Sequence, residues 1–127
     1  MATRGSREEP RRGMKALLIA VEGPPREVDL PRGGGGRFMS SLTALIGADF
    51  IERLWIATRW EAWLDENGRT AGKQVNEAAT RLAQSFGWES PLPGTVVIVG
   101  LDGDREPVAL SPVQATAILE KLRAPAA

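Results

Sequence analysis

The segment from Trp60 to Ala83 constrains the fold of this 127-residue chain more than any other segment. Residues 60–64 have the aromatic and apolar composition of a strand, and Asn67-Gly68 is the dipeptide most typical of a type I′ hairpin turn. From Val75 to Phe86, apolar residues recur at helical spacing. The segment therefore predicts a compact unit in which a strand, a tight turn and a short return lead into an amphipathic helix.

The remaining chain supplies further strands and helices around this unit. Strands are predicted at residues 14–21, 26–30, 49–57, 94–99 and 108–110, and helices at residues 37–46 and from residue 112 onward. The run from Gly94 to Val99 is apolar on both faces and rich in β-branched residues, as in a central strand buried on both sides. The order of elements predicts an α+β fold: a small mixed or antiparallel sheet with about three short helices packed on one face. In this arrangement Leu82 and Phe86 should pack against Val97 and Val99.

Local residues mark the ends of two predicted helices. Gly47 is placed to end the helix at residues 37–46, because glycine adopts the left-handed conformation that closes a helix. Ser111 and Gln114 have the spacing of a capping box, with Pro112 at the first helical position between them. The last helix is therefore expected to begin at Pro112.

The two ends of the chain differ in composition from its middle. Residues 1–13 contain no apolar side chain beyond Met1 and Ala2, so they cannot bury enough surface to offset the entropy lost on ordering. We expect a disordered leader at residues 1–13, a single α+β domain at residues 14–123 and a disordered tail at residues 124–127. The arginines of the leader leave a second interpretation open, in which it is a basic arm that contacts an anionic partner.

The amino-acid composition narrows the range of functions. Lys and Arg number 16, as do Asp and Glu, so no net charge draws the chain toward nucleic acid or an acidic membrane. The chain has no Cys, His or Tyr, which excludes thiol nucleophiles, histidine bases and Cys/His zinc sites. We therefore expect a cytoplasmic protein that is not an enzyme and has no catalytic residue, cofactor or metal. Its longest apolar run, residues 16–21, is too short to cross a bilayer.

Polar side chains collect around the predicted turn and the start of the helix that follows it. They are Asp65, Glu66, Asn67, Lys73, Asn76 and Glu77. Carboxylates in such a group can bind a small ligand or a hard cation, or, as a third and least favoured interpretation, serve as acid and base in catalysis. Asp-Glu-Asn-Gly is also an ordinary turn composition, however, and Asn76 is placed to cap the helix. We favour the turn and the cap and keep the ligand site as the alternative. An asparagine that only caps could be replaced by Asp with almost no loss of stability.

Tryptophan and arginine residues form a second group of candidates. The set comprises Trp55, Trp60, Trp63 and Trp88, with Arg53, Arg59 and Arg69 interleaved, and it could form a surface that binds a protein partner or stacks on nucleic-acid bases. The leading candidates are Trp60 and Trp63, with Arg59 beside them. Side chains of a strand alternate between its faces, so two tryptophans three residues apart lie on opposite faces. At least one of them is therefore expected in the core, which favours a protein partner over nucleic acid.

Five segments, taken in order, carry a resemblance to a known family. They are Met14-Lys-Ala-Leu-Leu-Ile-Ala-Val-Glu-Gly-Pro-Pro-Arg-Glu-Val, Ile46-Gly-Ala-Asp-Phe-Ile-Glu52, Leu64-Asp-Glu-Asn-Gly68, Lys73-Gln-Val-Asn76 and Gly94-Thr-Val-Val-Ile-Val-Gly100. The set resembles the domain of unknown function 3846, a family of uncharacterised bacterial, plasmid and phage proteins. The resemblance implies an accessory protein of a mobile genetic element, with no established enzymatic activity. Glu66 and Asn76 match the family pattern, whereas Arg69 stands where a lysine often follows the turn glycine.

These observations lead to two functional hypotheses. The first is a non-enzymatic accessory or protein-interaction domain that binds an unknown protein partner, with nucleic acid as a less favoured partner and no membrane. The second is a domain that binds a small ligand or a nucleotide at the polar end between Asp65 and Glu77. A concave pocket at this end favours the second hypothesis, and a convex turn favours the first.

Overall fold

Six strands and three helices form the part of the chain that the structure, a computed structural model, describes, residues 13–32 and 35–123. In chain order they are β1 (Met14–Ile19), β2 (Arg26–Leu30), α1 (Gly35–Ile46), β3 (Ile51–Leu54), β4 (Trp60–Asp65), α2 (Glu77–Gln84), β5 (Val96–Leu101), β6 (Pro107–Val108) and α3 (Pro112–Arg123). The strands form one antiparallel sheet in the order β2-β1-β5-β4-β3, and β6 pairs with the far end of β5. The predicted α+β class is confirmed. The ends predicted to be disordered are residues 1–13 and 124–127; all of them except Gly13, which directly precedes β1, lie outside the described part.

Strand β5 is the centre of the sheet, because it pairs with β1 on one side and with β4 on the other. All six of its residues are buried. Val96 and Ile98 point to one face of the sheet, and Val97 and Val99 point to the other. A strand with apolar side chains on both faces needs a covering layer on each face.

The helices accordingly cover both faces of the sheet. Helices α2 and α3 pack over the face of Val96 and Ile98. Helix α1 packs over the opposite face through Phe38, Leu42 and Ile46. The prediction that all helices lie on one face is therefore wrong, and the cause is β5, whose two apolar faces both require cover.

The packing predicted for α2 is also wrong. Leu82 is buried, but it lies on the face opposite Val97 and Val99. Phe86 follows the end of α2, is 41 % exposed, and contacts Trp60 edge-on with ring centroids 5.1 Å apart. Adjacent residues of a strand point to opposite faces. A prediction that is off by one residue along β5 therefore assigns its side chains to the wrong face.

The segment after β4 does not form the predicted hairpin. Neither Asn67 nor Gly68 has the positive φ that a type I′ turn requires. Instead, the Ala71 amide donates to the Asn67 carbonyl at 2.8 Å and the Lys73 amide donates to the Gly68 carbonyl at 2.9 Å, which coils the chain into tight turns. A return strand has no place beside β4, because β3 and β5 already occupy both of its edges.

The two predicted helix boundaries are confirmed. Helix α1 ends at Ile46, and Gly47 follows it with a φ of +76°. Before α3, the Gln114 amide donates to the Ser111 hydroxyl at 3.1 Å, and the Ser111 amide donates to the Gln114 side chain at 3.0 Å. These reciprocal bonds are the predicted capping box. Strand β3 is shorter than the nine residues predicted for it, since it covers residues 51–54 only.

Gly100 in β5 provides a test of this packing. A Cβ atom at Gly100 would lie 2.8 Å from the Ala109 carbonyl oxygen and 2.9 Å from that of Val108, so the backbone would have to move. We expect Gly100→Ala to lower the free energy of unfolding by about 2 kcal/mol, although a side chain normally strengthens a strand relative to glycine. Urea unfolding measures this. Gly103→Ala is the control, because a Cβ at Gly103 meets nothing within 4 Å. A stabilised Gly100→Ala variant would contradict the close approach of β5 to the β6 segment.

Candidate functional site

Asp65 and Lys73 form an ion pair at the end of β4. The Lys73 ammonium lies 2.8 Å from Asp65 Oδ2 and also donates to the carbonyl of Gly47, after α1, at 3.2 Å. Asp65 is buried, and its Oδ1 accepts a hydrogen bond from the Asn67 amide at 2.8 Å. The hydrogen bond from Lys73 lowers the pKa of Asp65 below its usual value of 3.8; burial opposes this shift, and the Asn67 amide adds to it.

A cleft of about 730 Å³ adjoins this ion pair. Its walls include the exposed ring of Phe50 and the C-terminal end of α1. Of the six polar residues predicted at this end, three line the cleft: Asp65, Asn67 and Lys73. Glu66 and Glu77 are exposed and lie outside it. Among the described residues, no group of three or more acidic side chains is placed to hold a metal ion.

Asn76 lies apart from this cleft, fully buried at the start of α2. Its side-chain oxygen accepts a hydrogen bond from the Ala79 amide at 3.0 Å, which confirms that it caps the helix. Its side-chain nitrogen donates to the carbonyls of Ile19 and Gly94, both at 2.8 Å. Asn76 therefore also joins α2 to the end of β1 and to the segment before β5, a role that the sequence did not reveal.

Trp60 and Trp63 are buried, with 5 % and 6 % of their surface exposed. They lie on opposite faces of β4, as their spacing predicts. Their predicted place on the surface is wrong, because helices cover both faces of the sheet. Trp63 contacts Phe38 of α1 edge-on, with ring centroids 5.9 Å apart. Among the three leading candidates, Arg59, Trp60 and Trp63, only Arg59, immediately before β4, is exposed.

Between the two tryptophans, Glu61 is fully buried. Its carboxylate accepts three hydrogen bonds, from Arg53 Nε at 2.7 Å, Trp55 Nε1 at 3.1 Å and Trp63 Nε1 at 2.9 Å. The Arg53 guanidinium also supplies the opposite charge. Burial of a carboxylate is strongly unfavourable unless donors and a counter-charge compensate it. These contacts are therefore what allows Glu61 to remain inside the protein.

Trp55 is 52 % exposed, and yet its ring is held in one position. Its Nε1 donates to Glu61. The guanidinium carbons of Arg53 and Arg105 lie 5.5 Å and 4.4 Å from the ring centroid, within the range of cation–π attraction. We call Arg53, Trp55 and Arg105 the Trp55 surface. It presents a tryptophan that needs little further ordering before it contacts another molecule.

The loop between β5 and β6 places Arg105 on this ring. Arg105 has a φ of +62°, a left-handed conformation that costs a residue other than glycine about 1–2 kcal/mol. Asp102 holds the loop, since its Oδ1 accepts hydrogen bonds from the amides of Asp104 at 2.8 Å and Glu106 at 3.0 Å. The Arg105 carbonyl in turn accepts from Arg53 Nη2 at 3.0 Å. The loop is thus held in two places, by the Asp102 side chain at the turn and by Arg53 at the Arg105 carbonyl.

Two further clefts lie nearby, one beside the Trp55 surface and one beside β3. A cleft of about 780 Å³ lies beside Trp55, with Arg59 and Phe86 among its walls. A cleft of about 410 Å³ has Leu54 and Trp88 among its walls. The indole nitrogen of Trp88 is buried and has no hydrogen-bond partner in the described part of the chain.

The sequence placed Arg53 and Trp55 among the aromatic and basic candidates, but it did not reveal Glu61 or Arg105 as their partners. One signal for Glu61 was present, because residues 53 and 55 of the strand predicted at 49–57 and residues 61 and 63 of the next strand fall on the same face once the two strands pair. The contribution of Arg105 had no such signal, since it comes from a loop 52 residues away from Arg53.

The structure defines a small α+β domain that combines an antiparallel sheet, helices on both faces and an exposed tryptophan fixed to a buried glutamate. The chain belongs to the family of the domain of unknown function DUF3846, whose family model matches residues 14–123. This match confirms the resemblance seen in the sequence. No curated protein and no solved structure matches the chain. In the described residues, every helix is too short or too polar to cross a membrane.

Substitution of Asn76 tests its second role. Asp preserves the acceptor for the Ala79 amide, but it places a carboxylate against the carbonyls of Ile19 and Gly94. We expect Asn76→Asp to lower the free energy of unfolding by about 3 kcal/mol or more, because two buried acceptors lose their donor and a charge is buried unpaired. Urea unfolding checks this, with Asn76→Ser as the comparison that keeps a cap without a charge. A nearly silent Asp variant would show that Asn76 acts as a cap alone.

The ion pair of Asp65 predicts how stability changes with pH. Because Lys73 lowers the pKa of Asp65 in the folded protein, the carboxylate adds stability above its usual pKa of 3.8, and this contribution is lost as the pH falls through the folded value. We expect the wild type to be more stable than Asp65→Asn near neutral pH, and the difference to shrink below about pH 4. Denaturation midpoints across this range measure it. Asp49→Asn, an exposed carboxyl in the same cleft, is the control. A difference in stability between the wild type and Asp65→Asn that persists in acid would show that the role of Asp65 does not depend on its charge.

Proposed function

We propose that this chain is a non-enzymatic interaction domain that binds a protein partner through the Trp55 surface. The observation that carries the proposal is Trp55 itself, a large apolar side chain that is half exposed and already fixed by Glu61 and two arginines. Tryptophan and arginine are among the residues most often found at the energetic centres of protein interfaces. We also propose that the domain acts in the bacterial cytoplasm as an accessory protein of a phage or plasmid.

The fixed position of Trp55 favours binding. Ordering a flexible side chain on association costs about 0.5–1.5 kcal/mol. Trp55 loses little freedom when a partner covers it, because its ring is stacked and its Nε1 is bonded in the unbound protein. Covering the ring therefore removes carbon from water without leaving the indole N–H unpaired.

Nucleic acid is a less favoured partner for the same surface. Base binding uses an aromatic ring whose face is open for stacking. The Trp55 ring already contacts two guanidinium groups, so a base would have to displace at least one of them. The net charge of zero also provides no long-range attraction for a polyanion.

The cleft beside Asp65 supports a second candidate, a domain that binds a small polar ligand. Lys73 and Asn67 line this cleft together with Asp65. Both oxygens of Asp65 are, however, engaged within the protein, one by Lys73 and one by the Asn67 amide. A ligand would have to compete with these bonds, so the Trp55 surface is the stronger candidate.

Truncation of Trp55 tests the proposal. We expect Trp55→Ala to weaken partner binding by about 100-fold, because loss of a central interface tryptophan costs roughly 2–4 kcal/mol. The partner is captured from a host lysate, purified, and titrated by calorimetry against the wild type and each variant. A purified partner that binds Trp55→Ala as tightly as the wild type would contradict the proposal.

Two further variants separate binding from stability. Arg105→Gly removes a guanidinium and relieves the left-handed φ, so its stability should stay within about 1 kcal/mol of the wild type while binding weakens. Val113→Ala is the surface control, since Val113 of α3 is 79 % exposed and lies outside the Trp55 surface. It should bind the purified partner like the wild type.

A further inference from the structure

The outer edge of β3 carries backbone groups that no strand of this sheet uses. β3 ends the sheet and pairs only with β4. The Glu66 amide donates to the Phe50 carbonyl at 2.9 Å, so these residues form a hydrogen-bonded pair, and such pairs recur at every second position of the register. Ile51 and Arg53 lie between the hydrogen-bonded positions of β3, so their N–H and C=O groups point outward, away from β4. Within residues 13–32 and 35–123, these groups have no backbone partner.

Exposed aromatic side chains flank this edge at both ends. Phe50, immediately before β3, is 66 % exposed, and Trp55, immediately after it, is 52 % exposed. The opposite edge of the sheet, β2, exposes Arg26, Glu27 and Asp29, and charges of this kind discourage the addition of another strand. β3 carries two charged residues, Glu52 and Arg53, but both are half-buried, Arg53 is paired with Glu61, and an apolar ring lies at each end of the strand. Of the two outer strands, β3 is therefore the one suited to pair with another chain.

We propose that an extended acidic segment of the protein partner adds to β3 as a further strand of the sheet. This inference rests on the proposed interaction function and specifies the chemistry of the partner. Ile51 and Arg53 supply the main-chain hydrogen bonds that give affinity, and the side chains on the two faces of β3 select alternate residues of the added segment.

The face of Arg53 and Trp55 selects acidic residues. The Arg105 side chain is exposed on this face and, among the described residues, has no carboxylate partner. Asp104 and Glu106 are its neighbours in sequence, and neither forms an ion pair with it. A partner Glu or Asp beside Trp55 gains a charge-assisted hydrogen bond from a guanidinium that stacking has already positioned.

The opposite face of β3 offers an apolar contact at Leu54. Leu54 lines the cleft of about 410 Å³ together with Trp88 and Pro91, and polar residues, Glu52 and Arg69 among them, line the same cleft. Side chains of an added strand alternate between the two faces of the sheet. The partner segment is therefore expected to alternate acidic and apolar residues.

The main-chain groups also discriminate between classes of partner. Outward N–H and C=O groups on one strand match the alternating donors and acceptors of another peptide. A phosphate backbone offers acceptors without matching donors, so it cannot use this edge in the same way. A second copy of this chain is the competing peptide occupant, and the experiment below distinguishes it.

A pair of substitutions at Ile51 isolates the main-chain contact. Ile51→Pro removes an outward N–H at the first residue of an edge strand, where proline is tolerated. Ile51→Ala removes side-chain volume and keeps that N–H. ¹⁵N-labelled protein is titrated with the end-blocked peptide Thr-Glu-Val-Glu-Val-Glu-Val-Thr, and amide shifts are followed by NMR. The matched probe carries Lys in place of every Glu.

We expect the acidic peptide to shift the amides of Ile51, Arg53 and Trp55, and to bind Ile51→Ala more tightly than Ile51→Pro, because only the alanine variant keeps the outward N–H. Ile51→Pro should weaken binding by about tenfold, the effect of one lost hydrogen bond. Arg105→Gly should reduce the preference for the acidic peptide over the lysine peptide. A peptide that is N-methylated at two consecutive central residues should also bind more weakly, so the test does not depend on the folding of Ile51→Pro.

Several results would overturn strand addition. They include equal binding of the acidic and lysine peptides, equal binding of the methylated and unmethylated peptides, and no amide shifts at millimolar acidic peptide. Tighter binding of a single-stranded oligothymidylate at Trp55 would instead assign the surface to nucleic acid. A concentration-dependent dimer that Ile51→Pro abolishes would assign the edge to a second copy. If Trp55→Ala loses the purified partner while the acidic peptide fails to bind, the interaction function stands and only strand addition is wrong.

Discussion

Burial of β5 on both faces is the constraint on which the rest of this structure depends. Its six residues are buried between β1 and β4, and its side chains project alternately to two apolar layers. One layer of helices would leave one of these faces in water, at a cost that grows with the apolar area exposed. The chain therefore places α1 on one face and α2 with α3 on the other. Gly100 allows the β6 segment to approach closely at the end of the same strand.

Covering both faces also buries β4, and that strand carries two carboxylates. Glu61 and Asp65 are both buried, so each needs a cation and hydrogen-bond donors within the protein. Arg53 pairs with Glu61 from β3, and Lys73 pairs with Asp65 from the coiled segment after β4. The positions of Arg53 and Trp55 at the surface thus follow from an electrostatic requirement in the core.

The Trp55 surface also carries exposed and strained groups, which the contacts with Glu61 do not require. Trp55 leaves half of a large apolar side chain in water, and Arg105 holds a left-handed backbone conformation that glycine would adopt without strain. The adjacent edge of β3 has outward backbone groups that the sheet does not use. Strain, exposed apolar surface and an open edge occur together here, as they do where a protein is shaped to meet another molecule.

The sequence alone determined the α+β class, the central place of β5, the cap at Asn76 and the opposite faces of Trp60 and Trp63. These features depend on periodicity and on residues close in sequence, which local physical chemistry reads directly. Tertiary structure decided that helices cover both faces, that the Asn67-Gly68 segment coils instead of turning back, and that Glu61 joins Trp55 to the core. Such features depend on which strands are neighbours and on the register of their pairing, because a shift of one residue exchanges the two faces of a strand. That register is set by contacts between residues far apart in the chain.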